Sequence, residues 1–272
     1  MKAVPATSAA ELAVDGVAIV VVSVGICVAA QNLVAMTVLV PVVWVVRTLA
    51  WLRVRPASAH RLAAEILFSS MCTVFGGFND WNSVDGHHIY DYSVPTDLAG
   101  VSSLPVWMLL YWGLILRFLA TLVLAAGLGS DPLPRNEVHL GLYTSTRAWV
   151  KIGAQLALVV ATRQAIYRTY LDPVLSWLPF LVAALVHFAL FGWDHRDRRL
   201  VALALTIGPL IEILYIQVGG LHHYHLGWLG GVPVWIILWW AVAVLIWRDL
   251  APRLLALVST IIAAVRSPAL AP

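Results

Sequence analysis

Five histidines stand in two short segments, His87-His88 and His222-His223-Tyr224-His225. Imidazole can ligate a metal through either nitrogen, and it can carry a proton near neutral pH. Carboxylates accompany both segments. Asp80, Asp85 and Asp91 surround the first, and Glu212 lies just upstream of the second. His87, His88, His222, His223 and His225 are therefore candidate ligands for a transition metal. Neighbouring histidines diverge in direction, so one ring from each pair with His225 makes a better set than all five. Glu212, Asp80, His88 and His223 are the candidates for acid–base catalysis. Trp81, Tyr90, Tyr92, Tyr224 and Trp228 supply aromatic faces that could line a pocket and stabilise a developing cation. Arg163 is expected to pair with Glu212 and to contact substrate. Against these roles stands a plain one, in which the histidines only hydrogen-bond at headgroup level. HExxH zinc motifs, P-loops, GxSxG elbows and dinucleotide fingerprints are absent.

The elements that must position these residues are apolar. Of 272 residues, 61% are hydrophobic and 11% charged, against about a quarter charged in soluble domains. A water-soluble surface cannot be built from so few charges. The apolar runs match the roughly 20 residues a membrane-spanning helix needs. The chain is thus expected to be an all-α integral membrane protein with about eight transmembrane helices. Residues 16–52 form one run broken only at Gln31-Asn32, read as two helices and a tight turn. The other spans are expected at 61–78, 103–127, 148–167, 174–193, 200–218 and 232–249. The stretch 254–265 is short for a span and is read as interfacial. Cys27 and Cys72, both in apolar segments, read as packing residues. The net charge of +3 does not call for nucleic acid.

Cations cluster at alternate connections. Arg47, Arg53, Arg55 and Arg61 mark the second connection, and Arg135, Arg147 and Lys151 the fourth. Arg196, Arg198 and Arg199, in "DHRDRR" (194–199), mark the sixth, and Arg248, Arg253 and Arg266 the C-terminal end. By the positive-inside rule both termini face the cytoplasm in a cell-membrane, multi-pass protein. Both histidine segments then emerge on the outer side.

Those segments also resemble each other. Residues 87–113 and 222–241 each run from His-His through an aromatic loop to Pro-Val-Trp and a tryptophan-bearing helix. The chain reads as two parallel four-helix halves, 1–127 and 148–250, joined by a cytoplasmic connection (128–147) and followed by an interfacial tail (251–272). Proline at a helix start costs no hydrogen bond, and Trp107 and Trp235 are read as interfacial belt residues. Glu65 is read as the i,i+4 partner of Arg61, and His187 as an isolated packing residue.

The segment "GPLIEILYIQVGGLHHYHLGWLGGVPVWIILWW" (208–240) resembles the endings of bacterial and plant polytopic membrane proteins that carry an acid, a Tyr/His loop and a Pro-x-Trp helix start. More loosely, two-halved membrane carotenoid and terpene cyclases share intramembrane acids set beside aromatics. Neither resemblance assigns a family. The residues themselves suggest an embedded enzyme acting on an isoprenoid or lipid by acid–base chemistry, metal-assisted if the histidines ligate. The partner would be membrane lipid or a lipophilic small molecule. A small-solute or lipid transporter, for which Glu212 beside Gly208-Pro209 argues, and a non-catalytic assembly protein are the alternatives.

Overall fold

The computed structural model describes residues 7–55, 59–125, 146–192 and 194–266. Among them are eight helices and two short strands. In chain order these are α1 (Ala9–Ala29), α2 (Leu33–Val54), α3 (Ala59–Val84), β1 (Tyr90–Tyr92), α4 (Val106–Leu124), α5 (Thr146–Thr169), α6 (Leu178–Phe191), α7 (His195–Gln217), β2 (His222–Tyr224) and α8 (Val234–Arg266). Six of the helices, α1–α4, α7 and α8, contain stretches long and apolar enough to cross a membrane. The chain is an all-α, multi-pass membrane protein. The 14 residues of α6 extend about 21 Å at 1.5 Å per residue, short of a hydrocarbon core of about 30 Å.

Local signals set the boundaries. Ser8 and Glu11 form a capping box at the start of α1. Asn32 caps α2, its Oδ1 accepting the Ala35 N–H at 3.0 Å, so the chain does turn at Gln31-Asn32. "DHRDRR", read as a connection, instead opens α7: the Asp197 N–H donates to Asp194 Oδ1 at 2.9 Å and the Asp194 N–H to Asp197 Oδ2 at 3.1 Å. α3 runs past residue 78 to Val84 and takes Asp80 and Trp81 out of the expected loop. α8 likewise passes through Pro252 to Arg266. The stretch 254–265 is therefore the second half of one long helix, with Leu254 and Val258 buried against Phe68, Cys72 and Ala120. Residues 126–145, with Arg135 and most of the expected connection, lie outside the described residues, as do 267–272.

α3, α4 and α8 form the centre of the bundle. The α1–α2 hairpin packs on α4, the α5–α6 hairpin on α8, and α7 lies along α8. Two glycines allow close approach at corresponding places. A Cβ at Gly76 would stand 2.6 Å from Trp112 Cβ, and one at Gly208 would stand 2.7 Å from Trp240 Cγ. Trp107 and Trp235 are not belt residues. Both are buried, because the segments before α4 and α8 fold back over the helix starts. The Trp235 ring stacks on Phe180 with centroids 5.9 Å apart.

β1 and β2 pair antiparallel across one end of the bundle, with Tyr90 opposite Tyr224, Asp91 opposite His223 and Tyr92 opposite His222. The α1–α2 turn reaches the same end, where Gln31 Nε2 donates to the carbonyls of Ser93 (3.3 Å) and Gly220 (3.1 Å). Nearer the opposite end lies a buried charge network. Arg47 bonds Asp15 and Glu65. Arg117 grips Glu65 with Nε–Oε1 at 2.8 Å and Nη2–Oε2 at 3.1 Å, and Thr121 links Arg117 to Asp15. Glu65 thus faces inward to Arg47 and Arg117, not outward to the exposed Arg61.

Candidate functional site

Strand geometry distributes the histidine segments between two faces. Side chains alternate along a strand with period two, so Tyr90, Tyr92, His222 and Tyr224 turn toward the bundle while Asp91 and His223 turn away. Beneath the inward face lies Asp80, near the C-terminal end of α3 and wholly buried. Its carboxylate accepts from the hydroxyls of Tyr90 and Tyr92 (the latter 2.7 Å) and from the Trp112 indole N–H at 2.6 Å. The glycine at 76 lets Trp112 sit close enough to make that bond. Burial first, and the Asp80 carboxylate second, push the Tyr90 and Tyr92 hydroxyls well above their ordinary pKa. Burial, then Glu212, does the same to Tyr224. All three stay protonated.

Glu212 occupies the matching place on α7, four residues beyond Gly208 as Asp80 is beyond Gly76. Its surroundings differ. His222 Nε2 lies 3.0 Å from Glu212 Oε2. That contact is close but misaligned, and neither ring nitrogen of His222 has a hydrogen-bond partner among the described residues. The imidazole is held by rings instead, with centroids 5.2 Å from Tyr224, 5.6 Å from Tyr90 and 5.9 Å from Tyr92.

A cavity of about 360 Å³ begins at this point, within the range of small-molecule sites. α4 and α7 flank it, Trp240 and Val244 of α8 close its back, and Ile19 of α1 contributes one edge. Along α4 its lining runs from Met108 to Leu122, about 21 Å by helical rise. One end is polar, with Tyr90, Tyr92, Glu212, His222 and Tyr224. Next come Tyr111 and Tyr215, whose hydroxyls bond each other and Ser23 Oγ (3.0 Å to Tyr111, 2.7 Å to Tyr215). The remainder is apolar, including Ile115, Phe118, Leu119, Leu203, Ala204 and Ile207.

The expected residues divide accordingly. Glu212, Tyr90, Tyr92 and Tyr224 line the cavity, and so does His222. Asp80 is sealed beneath it as an acceptor of three hydrogen bonds. His223 lies on the outward face, 3.7 Å from Asp91 and 3.0 Å from Ser93 Oγ. His225 Nε2 donates to the His88 carbonyl at 2.9 Å, and His88 has a left-handed backbone (φ 50°). His87 stacks on Tyr167 with centroids 3.6 Å apart. Partial burial, then Arg163 and Arg168, lowers the His87 pKa.

The expected metal set is therefore dispersed. Among the described residues no group of three or more His, Cys, Asp or Glu side chains is placed to hold a metal ion. The reason is the strand alternation, which sends His222 and His223 to opposite faces. Arg163 does not pair with Glu212. Its guanidinium bonds Ser83 and, at 3.2 Å, the Tyr167 hydroxyl, and it lies 5.2 Å from the ring centroids of both Tyr167 and Trp239. Trp81 and Trp228 are exposed and stand off the cavity. His187 is not isolated either, since it lies 3.2 Å from Gln155, which also donates to Asp249 at 2.7 Å.

Trp112, Tyr111, Tyr215 and Ser23 escaped the sequence reading. The repeated Gly-x-x-x-acid spacing (Gly76 to Asp80, Gly208 to Glu212), set against the paired Trp112 and Trp240, was the signal that could have found the first. No protein-family model matches the chain, and no curated protein or solved structure matches it either.

Proposed function

We propose that the protein is a membrane-embedded enzyme acting on a lipophilic, chain-shaped substrate of the isoprenoid or lipid class, with Glu212 and His222 as its acid–base pair. The observation that supports this best is the cavity. It is long and apolar for most of its length, and a carboxylate and an imidazole 3.0 Å apart meet at one end. Proton transfer needs two such groups within reach of one reacting atom. An apolar, water-poor chamber strengthens the field of each, and the faces of Tyr90, Tyr92 and Tyr224 can stabilise positive charge formed beside them. A transport path would need a polar exit at the far end. Leu122, Leu200 and Val244 line the cavity there.

The test is native mass spectrometry of protein purified in mild detergent. The wild type is expected to carry a bound lipophile. Glu212→Gln is expected to carry one that differs in mass or, for an isomerisation by proton transfer alone, in chromatographic retention after extraction, because unconverted substrate accumulates when the acid is removed. The same lipophile by mass and retention in both proteins, or none in either, would remove the enzyme reading.

In the proposed topology the chain crosses the membrane eight times in two parallel halves, α6 doing so together with the turn residues before it because its own 14 residues fall short, and the β1–β2 end faces outward. Arg55, Arg61, Lys151 and Arg253 then lie at the cytoplasmic end, consistent with the positive-inside rule. In a background lacking Cys27 and Cys72, Trp228→Cys is expected to react with an impermeant thiol reagent applied to intact cells, and Ala59→Cys to stay silent. The reverse pattern would invert the protein in the membrane.

A further inference from the structure

We infer that the cavity takes a single-chain amphiphile whose head is a protonated amine; this rests on the lipophilic-substrate reading above and narrows it. The polar end of the cavity is poor in donors. The Tyr90 and Tyr92 hydroxyls and the Trp112 N–H are all spent on Asp80. The Tyr111 and Tyr215 hydroxyls are engaged with each other and with Ser23. These groups present lone pairs and ring faces to a ligand. The Trp240 N–H has no partner among the described residues but is itself sealed from the cavity surface. Among the described hydroxyls and indole N–H groups lining this end, that of Tyr224 remains free to donate or accept.

Charge points the same way. Among the described lining residues Glu212 is the sole carboxylate, and no lysine or arginine stands with it. Arg163 is turned away toward Ser83, Tyr167 and Trp239.

His222 supplies an independent observation. It is more than nine-tenths buried, it lines the cavity, and both its ring nitrogens lack hydrogen-bond partners among the described residues. With its proton on Nε2, the nitrogen facing Glu212, Nδ1 keeps a lone pair, though like the Trp240 N–H it is closed off from the cavity surface. An ammonium head brings the missing donors to Glu212, and its charge meets the faces of three tyrosines. A phosphate or carboxylate head would face Glu212 with no cation to offset the repulsion. An alcohol brings one donor and no charge. The chain then lies along Ile115, Phe118, Ala204 and Ile207.

The experiment compares dodecylamine, dodecanol and dodecyl phosphate on the full chain in nanodiscs. Brominated-chain versions are used so that quenching of Trp112 and Trp240 fluorescence reports occupancy. Ala204→Trp, which fills the apolar section, serves as the control for partition into lipid. The amine is expected to bind at least about tenfold more tightly than the phosphate and the alcohol. Glu212→Gln, checked for unchanged thermal unfolding, is expected to abolish most of that preference by weakening amine binding far more than alcohol binding. Phosphate binding as tight as the amine would overturn the inference, as would a preference that survives Glu212→Gln. Alcohol matching the amine would overturn the head assignment yet leave the lipophilic cavity standing. Quenching that Ala204→Trp does not reduce, for all three, would overturn both.

Discussion

Glu65→Ala is expected to destabilise the protein by about 3–5 kcal/mol, the cost of breaking a buried ion pair from one side. Arg47 and Arg117 both depend on this carboxylate, and side-chain exposures of 3%, 9% and 5% for Arg47, Arg117 and Glu65 leave water little access. Asp15 alone cannot balance two guanidinium groups. Of a total stability of about 5–15 kcal/mol, such a loss is large enough to lower yield as well as melting temperature. The double variant Glu65→Met, Arg117→Met removes one acid and one base and leaves the Asp15–Arg47 pair. It is expected to recover most of the loss, since replacing a buried pair with apolar groups is often neutral. Unfolding in detergent, followed by far-ultraviolet circular dichroism against temperature, distinguishes the cases. If the single variant melts with the wild type, the network has no stabilising role.

The second large effect is expected at Asp80. Asp80→Leu strands the Tyr90 and Tyr92 hydroxyls and the Trp112 N–H, and each buried unsatisfied group costs about 1–3 kcal/mol. The loss should reach about 3 kcal/mol even if one hydroxyl turns toward the cavity. Asp80→Asn keeps one acceptor oxygen and should lose less. Glu212, at the matching place on α7, accepts no hydrogen bond among the described residues, and Glu212→Leu is expected to stay within about 1 kcal/mol of wild type. Of two acids at corresponding positions, one holds the tyrosines in place and the other remains available to a ligand. Equal destabilisation at both positions would contradict that division.

The helices were legible in the sequence because length and apolarity leave traces in every residue of a span. Gln31-Asn32 marked the α1–α2 turn as the one polar break in a long apolar run, and Asn32 proves to cap α2. The ends were less legible. α3 extends to Val84 because tertiary contacts cover residues whose polarity, read alone, argued for loop, and α8 extends to Arg266 because its apolar second half, read as interfacial, packs on α3 and α4. Tyr90, Tyr92, Tyr224 and Glu212 could be selected from type and spacing. The face on which each histidine falls could not, because three-residue strands give too short an alternation to read. The partners of Arg163 and Glu65 were misread for a related reason. Depth along a helix can be counted from sequence, but rotation about its axis is fixed by neighbours distant in the chain.

The Ser23, Tyr111 and Tyr215 hydroxyls close a three-membered ring in which any of the three can be the donor to the next. Each hydroxyl has one proton to give and lone pairs to receive, so the ring can circulate in either of two senses. Neither sense carries net charge, and reversal moves three hydrogens together without moving a heavy atom. Chains of hydrogen bonds polarise one another, which favours the two concerted senses over mixed ones. Because α1, α4 and α7 each contribute one member, the wall of the cavity has a handedness written in hydrogens alone. A ligand group that donates to one oxygen would select the sense in which all three helices are joined.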